Sequence, residues 1–175
     1  MSVFVDAPDA SEYAPFYAGY VGLVPPGDVR DHLRLQVLDT NALLSGVPEA
    51  KAEQAYAPGK WTLKEVIGHV SDAERVFSYR MLSIARGDPA ALPPFDENLW
   101  VPASNANARS VSSLLLDLAT VRASTSLLVG ALDEAAWTRR GTASGKTISV
   151  RALGHICVGH ERHHLQIIRE RYLKA

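Results

Sequence analysis

Cysteine is almost absent from this sequence: Cys157 is the only one among 175 residues. A lone thiol rules out an intramolecular disulfide framework and fits a reducing compartment. The burial habit of free cysteine makes Cys157 a small core residue rather than a catalytic nucleophile. An excess of either charge is missing as well, since 18 Lys and Arg stand against 19 Asp and Glu. No run of basic residues forms a footprint for a phosphate backbone, so a nucleic-acid partner is not expected. No stretch of 18 residues is free of charge, and the opening MSVFVDAPDA lacks the basic start and long apolar segment of a signal peptide. No membrane span is therefore expected, and the expected location is cytoplasmic. Convincing strand alternation is also missing, as is the HExxH pattern of the metalloproteases.

What is present is ordinary globular material, 47% hydrophobic and 21% charged, of a length that suits one core. Residues 1–24 mix Pro, Gly, Tyr and Phe without a period and read as an arm lying across the body, followed by a single domain over residues 25–175. Asp28 is placed to cap a first helix reaching Leu44, with Leu33, Leu35, Val37, Leu38, Leu43 and Leu44 as its apolar positions. Thr62 and Glu65 form a capping box that starts a second helix at Leu63, and Gly87 with Pro89 ends it. Val66, Ile67, Val70, Ala73, Phe77, Met81 and Ile84 give that helix a continuous apolar stripe.

From Gly87 to Ser110 the chain carries four prolines and no period. So long a connection is expected to serve the function, with Phe95, Asp96, Asn98 and Trp100 at a pocket mouth or, for the two aromatics, packed as a cap on the core. A third helix starts at Val111 behind Ser110 and runs to Leu132, with Leu114, Leu115, Leu118, Val121, Leu127 and Leu128 inward. A short turn at Glu134 to Trp137 and a polar loop with Gly141 and Gly145 follow. A fourth helix runs from Ser149 through Tyr172. The expected fold is all-α, a four-helix bundle with the long connection between its second and third helices.

The histidines carry the chemistry. His160 and His164 stand one helical turn apart, on the stripe shared with Leu153 and Cys157, so two imidazoles face the core together. His69 lies at the edge of the second helix's own stripe. Three imidazoles from two core-facing stripes point to a divalent metal ion with an open fourth position, the pattern of catalytic rather than structural sites. His160 with His163 is also a legitimate pair at i, i+3; His164 sits nearer the centre of the stripe. His32 is expected on the surface, and His155 exposed or supporting the site from behind. Asp72 and Glu74 are expected in solvent.

Two segments, KWTLKEVIGHVSDAERVF (Lys60 to Phe77) and HERHHLQII (His160 to Ile168), resemble the motifs of the DinB/YfiT-like family of metal-binding helical bundles, and PPFDENLW (Pro93 to Trp100) resembles that family's connection. Carried over residue by residue, the resemblance places metal ligands on His69, His160 and His164. It implies zinc or nickel as the ion, a homodimer, a small-molecule substrate, and transfer chemistry on a low-molecular-weight thiol of the bacillithiol or mycothiol type. The alternatives it implies are a metal-dependent hydrolase or a stress-response module that binds metal without turnover.

Overall fold

A computed structural model describes residues 4–174. In chain order the helices are α1 (Ala18–Val21), α2 (Val29–Leu44), α3 (Glu49–Ala52), α4 (Leu63–Ala85), α5 (Glu97–Ala103), α6 (Val111–Gly130), α7 (Glu134–Thr138) and α8 (Val150–Ile167), and α8 runs on into a π-helical turn at Ile168–Leu173. Each long helix begins where a short polar side chain satisfies an orphan backbone N–H. Asp28 accepts from Arg30 N, Ser110 from Ser113 N and Ser149 from Ala152 N. The capping box of α4 forms as expected, with Glu65 N donating to Thr62 Oγ1 at 3.1 Å and Thr62 N to Glu65 Oε2 at 2.8 Å.

The four long helices close a ring: α2 packs on α6 and α8, and α4 packs on the same two. Helices consecutive in sequence are thus diagonal in two cases, α2 to α4 and α6 to α8. The connections must cross the bundle rather than join neighbours. The core divides into two apolar halves. One gathers Leu33, Phe77, Met81, Ile84, Leu153 and Ile156; the other Leu44, Leu63, Ile67, Leu114, Leu165 and Ile168. Between them lies a polar layer to which every long helix contributes buried side chains: Gln36 and Thr40, His69 and Glu74, Arg122, and His160, Glu161 and His164.

That layer explains why the sequence misplaces two helix faces. Leu35, Leu38 and Leu127 are exposed, at 47%, 63% and 78%. The inward stripe of α2 runs instead through Val29, Leu33, Gln36, Thr40 and Leu44, and that of α6 includes Arg122 and Thr125. Apolar content alone would turn the leucines inward. Hydrogen bonds from Gln36 and Thr40 to Glu161 fix the rotation of α2 the other way, and the ion pairs of Arg122 fix that of α6. By length and hydropathy α6 is also the one described helix apolar enough to cross a membrane, yet here it delivers a fully buried arginine to the bundle centre.

Two further expectations are corrected. The loop carrying Gly141 and Gly145 is an antiparallel hairpin, β1 (Arg140–Ala143) and β2 (Lys146–Ser149), turning through Ser144 and Gly145 at positive φ. Only four residues a side, it lacks the length for an alternating pattern to stand out. The 87–110 connection is also more regular than its prolines suggest: it contains α5, and Leu92 bonds the hairpin through Leu92 N to Thr142 O (2.9 Å) and Ser144 N to Leu92 O (3.0 Å).

From Phe4 onward the N-terminal segment forms 3-10 turns at Ala10–Glu12 and Pro15–Tyr17, the first against β2, and then α1 against α8. Glu12 is its anchor, buried and accepting from Arg151 Nε at 2.7 Å and also from Arg151 Nη2. Burial alone would raise the Glu12 carboxyl, but the bonds from Arg151, Ser149 and Asp9 bring it down to about 2. A depressed acid lends stability above its ordinary range near 4.5 and loses it as pH falls toward 2. Farther along, α1 presses against Gly159 so closely that a Cβ there would sit 1.9 Å from Tyr20 O. Glu12→Ala should therefore expose residues 13–27 to limited proteolysis at pH 7 while the bundle melts nearly unchanged. A cleavage rate equal to the wild type's would show that this ion pair does not hold the segment.

Candidate metal centre

His69 sits two turns into α4, and His160 and His164 occupy successive turns of α8, the helix packed beside it. The three side chains meet. His69 Nε2 is 3.1 Å from His160 Nε2, and His164 Nε2 is 3.2 Å from the same atom. One ligand nitrogen from each ring lies within 4.8 Å of the others, and all three residues are buried. His163, four-fifths of a turn away by sequence, faces elsewhere: half-buried, it packs edge-on against Tyr20 and His164. The backbone thus resolves the sequence ambiguity in favour of His164 as the ring that joins the cluster.

The donor chemistry fits a divalent cation. A ring nitrogen has a single in-plane site, a lone pair or an N–H, and cannot serve two partners at full strength. His160 Nε2 faces two at once, so hydrogen bonding alone does not account for the convergence. Around an ion with nitrogen at about 2.0–2.1 Å, a tetrahedron has edges of about 3.3 Å, close to the spacings here. Burial keeps the rings neutral with their lone pairs available: it pushes His69 down to about 4 and His164 to about 3, while His160 falls well below its ordinary value through burial and the neighbouring histidines.

Rings brace the cluster. Trp61 lies 4.9 Å from His69 between centroids, Tyr20 5.4 Å and Phe77 5.6 Å from His160. Tyr172 Oη donates to Trp61 O at 2.6 Å and ties the end of α8 to this corner. On the open side His69 and His160 form part of the wall of a cavity of about 370 Å³, closed by Phe16, Tyr17 and Tyr20 of the N-terminal segment, Phe77 and Arg80 of α4, Phe95 and Glu97 of the connection, and Ser144 and Lys146 of the hairpin. A volume of that order suits a small organic molecule. Another cavity, of about 440 Å³ between α2 and α8, is lined by Gln36, Asp39, Arg162 and Gln166 and reaches none of the three histidines.

The carboxylate expected in solvent is the chief correction. Glu74 is 2% exposed and takes both Arg122 Nε (2.7 Å) and Arg122 Nη2 (2.8 Å), while Arg122 Nη2 also reaches Glu161 Oε2 at 2.7 Å. Glu161 accepts as well from Gln36 Nε2 (2.6 Å) and from Thr40 Oγ1, and Arg122 Nη1 donates to Leu33 O. Each of the four long helices contributes to this network. Burial works against the Arg122 charge, but Glu161 and Glu74 hold it well above the ordinary guanidinium range. No spacing rule relates positions 74, 122 and 161. The available signal was an arginine on an otherwise apolar face of α6. Asp72, by contrast, stays at the surface with Arg75, as expected.

His155 is a second correction, since it is 2% exposed and its Nδ1 bonds Arg151 O at 2.9 Å. That satisfied backbone contact makes it a core histidine away from the cluster. His32 bonds Pro25 O near the surface. Phe95 lines the cavity, whereas Trp100 is 45% exposed beside it. Tyr20, Arg80 and Ser144 were not singled out from sequence, because only the crossing of the arm and the fold of the hairpin bring them here.

Cys157 is buried in the first apolar half, and burial pushes its thiol well above the ordinary range. The native protein should therefore leave a disulfide reagent such as DTNB unreacted over minutes and react fully in denaturant; rapid native reaction would return Cys157 to the list of candidate nucleophiles.

The sequence profile of the DinB superfamily matches residues 32–168. A protein of Geobacillus thermodenitrificans (strain NG80-2) named "Putative metal-dependent hydrolase" is 23% identical over 125 residues, 70% of each chain. Among solved structures, YfiT from Bacillus subtilis, described as "a probable metal-dependent hydrolase with an unusual four-helix bundle topology", superposes with a TM-score of 0.77 at 17% identity, over 95% of this chain and 91% of that one. A mycothiol-dependent maleylpyruvate isomerase superposes with a TM-score of 0.64 at 19% identity, over 83% of this chain and 61% of the other. At these identities the two structures bear on the fold alone.

Proposed function

Because this chain belongs to the DinB superfamily, we propose that His69, His160 and His164 hold one divalent metal ion and that the protein is a metal-dependent transferase acting on a low-molecular-weight thiol. The observation that carries the reading is the meeting of three buried, neutral imidazoles, two of which, His69 and His160, form part of the wall of an open cavity. A zinc or nickel ion held by these three residues would supply a Lewis acid that favours the thiolate form of a small thiol.

The chain's own groups favour an external thiol as nucleophile. Cys157 is sealed in the core, and the two buried carboxylates near the centre, Glu74 and Glu161, are committed to Arg122. Among the described residues the third buried carboxylate, Glu12, is paired with Arg151, so none is left unpaired to serve as a base. A coordinated thiol requires none. Tyr20, Phe77 and Phe95 supply an apolar enclosure that excludes water from a reacting thiolate and electrophile. The mycothiol dependence of one structural neighbour is consistent with this chemistry.

A second reading, hydrolysis by an activated water, is favoured by one residue. Glu97 lines the same cavity as His69 and His160 and is half-buried there, which places a carboxylate where a general base could stand. One substitution separates the two. Under the thiol reading, monochlorobimane conjugation with mycothiol or bacillithiol should require metal and survive Glu97→Gln within about threefold. Under the hydrolytic reading, ester cleavage should be the metal-dependent activity, and Glu97→Gln should lower its kcat by about a hundredfold or more. Failure of conjugation with every thiol, alongside ester turnover, would overturn the transferase assignment.

A further inference from the structure

Two arginines are almost wholly buried, Arg122 at 1% and Arg80 at 2% exposure. Their surroundings differ. Arg122 meets two carboxylates, whereas Arg80 forms no ion pair with any carboxylate among the described residues. Its Nη2 donates to Pro93 O at 2.6 Å and to Ser144 Oγ at 3.0 Å, latching α4 to the connection and the hairpin. Among the described residues Nε and Nη1 have no acceptor, and neither atom is sealed from solvent. They therefore open onto the cavity that Arg80 lines with His69 and His160.

A guanidinium withdrawn from water without a counter-charge is costly, and a protein that keeps one beside a cavity has a use for its charge. Phe95 compensates in part, its ring centroid 6.0 Å from Arg80 Cζ. Lys146, exposed on β2, adds a second cation at the rim. Among the described residues Glu97 is the one acidic side chain in the lining, so Arg80 and Lys146 leave the charge balance there positive, and the remaining wall is mostly aromatic, with Phe16, Tyr17, Tyr20 and Phe77. Charge at one end and rings along the sides describe an organic anion with an apolar body. Ser144, already polarised by Arg80, presents its hydroxyl to the same space.

We propose that Arg80, with Lys146 at the rim, binds the carboxylate of a small organic acid whose apolar body lies against the aromatic wall and whose reactive end faces the three histidines. This rests on the metal-dependent reading only for the orientation of the reactive end. The anion site itself stands on Arg80. A carboxylate on an apolar body is favoured over inorganic phosphate because much of the lining is aromatic, and a fully hydrated ion would leave that surface unused.

The test follows the side-chain Nε–Hε resonance of Arg80 in the 15N-labelled protein as 3-phenylpropionate is added, first as purified and then after chelation. The expected result is a saturable shift of that resonance in both states. 3-Phenylpropionamide and inorganic phosphate should bind at least tenfold more weakly. Arg80→Met should weaken 3-phenylpropionate at least tenfold while leaving metal content unchanged. An unmoved Arg80 resonance, equal binding of the amide, phosphate binding of similar strength, or full affinity in Arg80→Met would each overturn the proposal. Should Arg80→Met fail to fold, the wild-type titration decides alone. A chain that binds no metal yet shifts Arg80 with the carboxylate would sink the metal reading and leave the anion site standing.

Discussion

His160→Ala should bring the metal content of the purified protein from about one ion per chain to below a tenth of that. The reason is geometric: His160 Nε2 is the atom that both other rings approach, at 3.1 and 3.2 Å, and its loss leaves two nitrogens that no longer enclose a common centre. His164→Ala should do the same, while His163→Ala should retain the ion, because that ring packs edge-on against Tyr20 outside the cluster. Metal bound only by the folded chain stabilises it, by about 2.7 kcal/mol when free metal is a hundredfold above Kd. Chelation should therefore lower the wild-type Tm and leave that of His160→Ala unmoved. Inductively coupled plasma mass spectrometry and paired melts read both effects. A His160→Ala protein with its ion intact would remove the site.

The largest stability effect is expected at Arg122. Replacing it with methionine keeps the volume roughly and leaves Glu74 and Glu161 facing each other, both buried, without a counter-charge. Stranding one side of a buried pair costs about 3–5 kcal/mol, a large share of the 5–15 kcal/mol typical of a folded domain. Arg109→Met provides the comparison. Arg109 pairs with Asp117 at 3.0 Å with its own side chain 36% exposed, and its loss should cost no more than about 1 kcal/mol. Urea midpoints for the two variants would reveal the difference. Equal midpoints would mean that the central network contributes little. Because Glu161 adjoins His160 in sequence and the network sits in the same layer as the cluster, Arg122→Met should also weaken metal binding.

Local signals were legible because they depend on a few neighbours. The caps at Asp28, Thr62 and Ser110 stand where the sequence puts them, since each is a bond between residues two or three apart. The pair His160 and His164 was readable for the same reason, and His69 followed from a stripe. What failed depends on partners distant in sequence. Leu35, Leu38 and Leu127 look inward by hydropathy, and only the joining of Gln36, Thr40 and Arg122 to Glu74 and Glu161 shows that the helices are turned the other way. Arg80 and Ser144, 64 positions apart, acquire meaning only once the hairpin folds back on α4.

The most direct test of the metal centre is X-ray absorption at the metal edge of the protein as purified. The prediction is an ion with three imidazole nitrogens at about 2.0–2.1 Å and at least one oxygen ligand from solvent, and the imidazole count should fall to two in any His160→Ala protein forced to bind by excess metal. A sulfur neighbour at about 2.3 Å in the absence of added thiol, or a spectrum with no imidazole scattering, would contradict the three-histidine site.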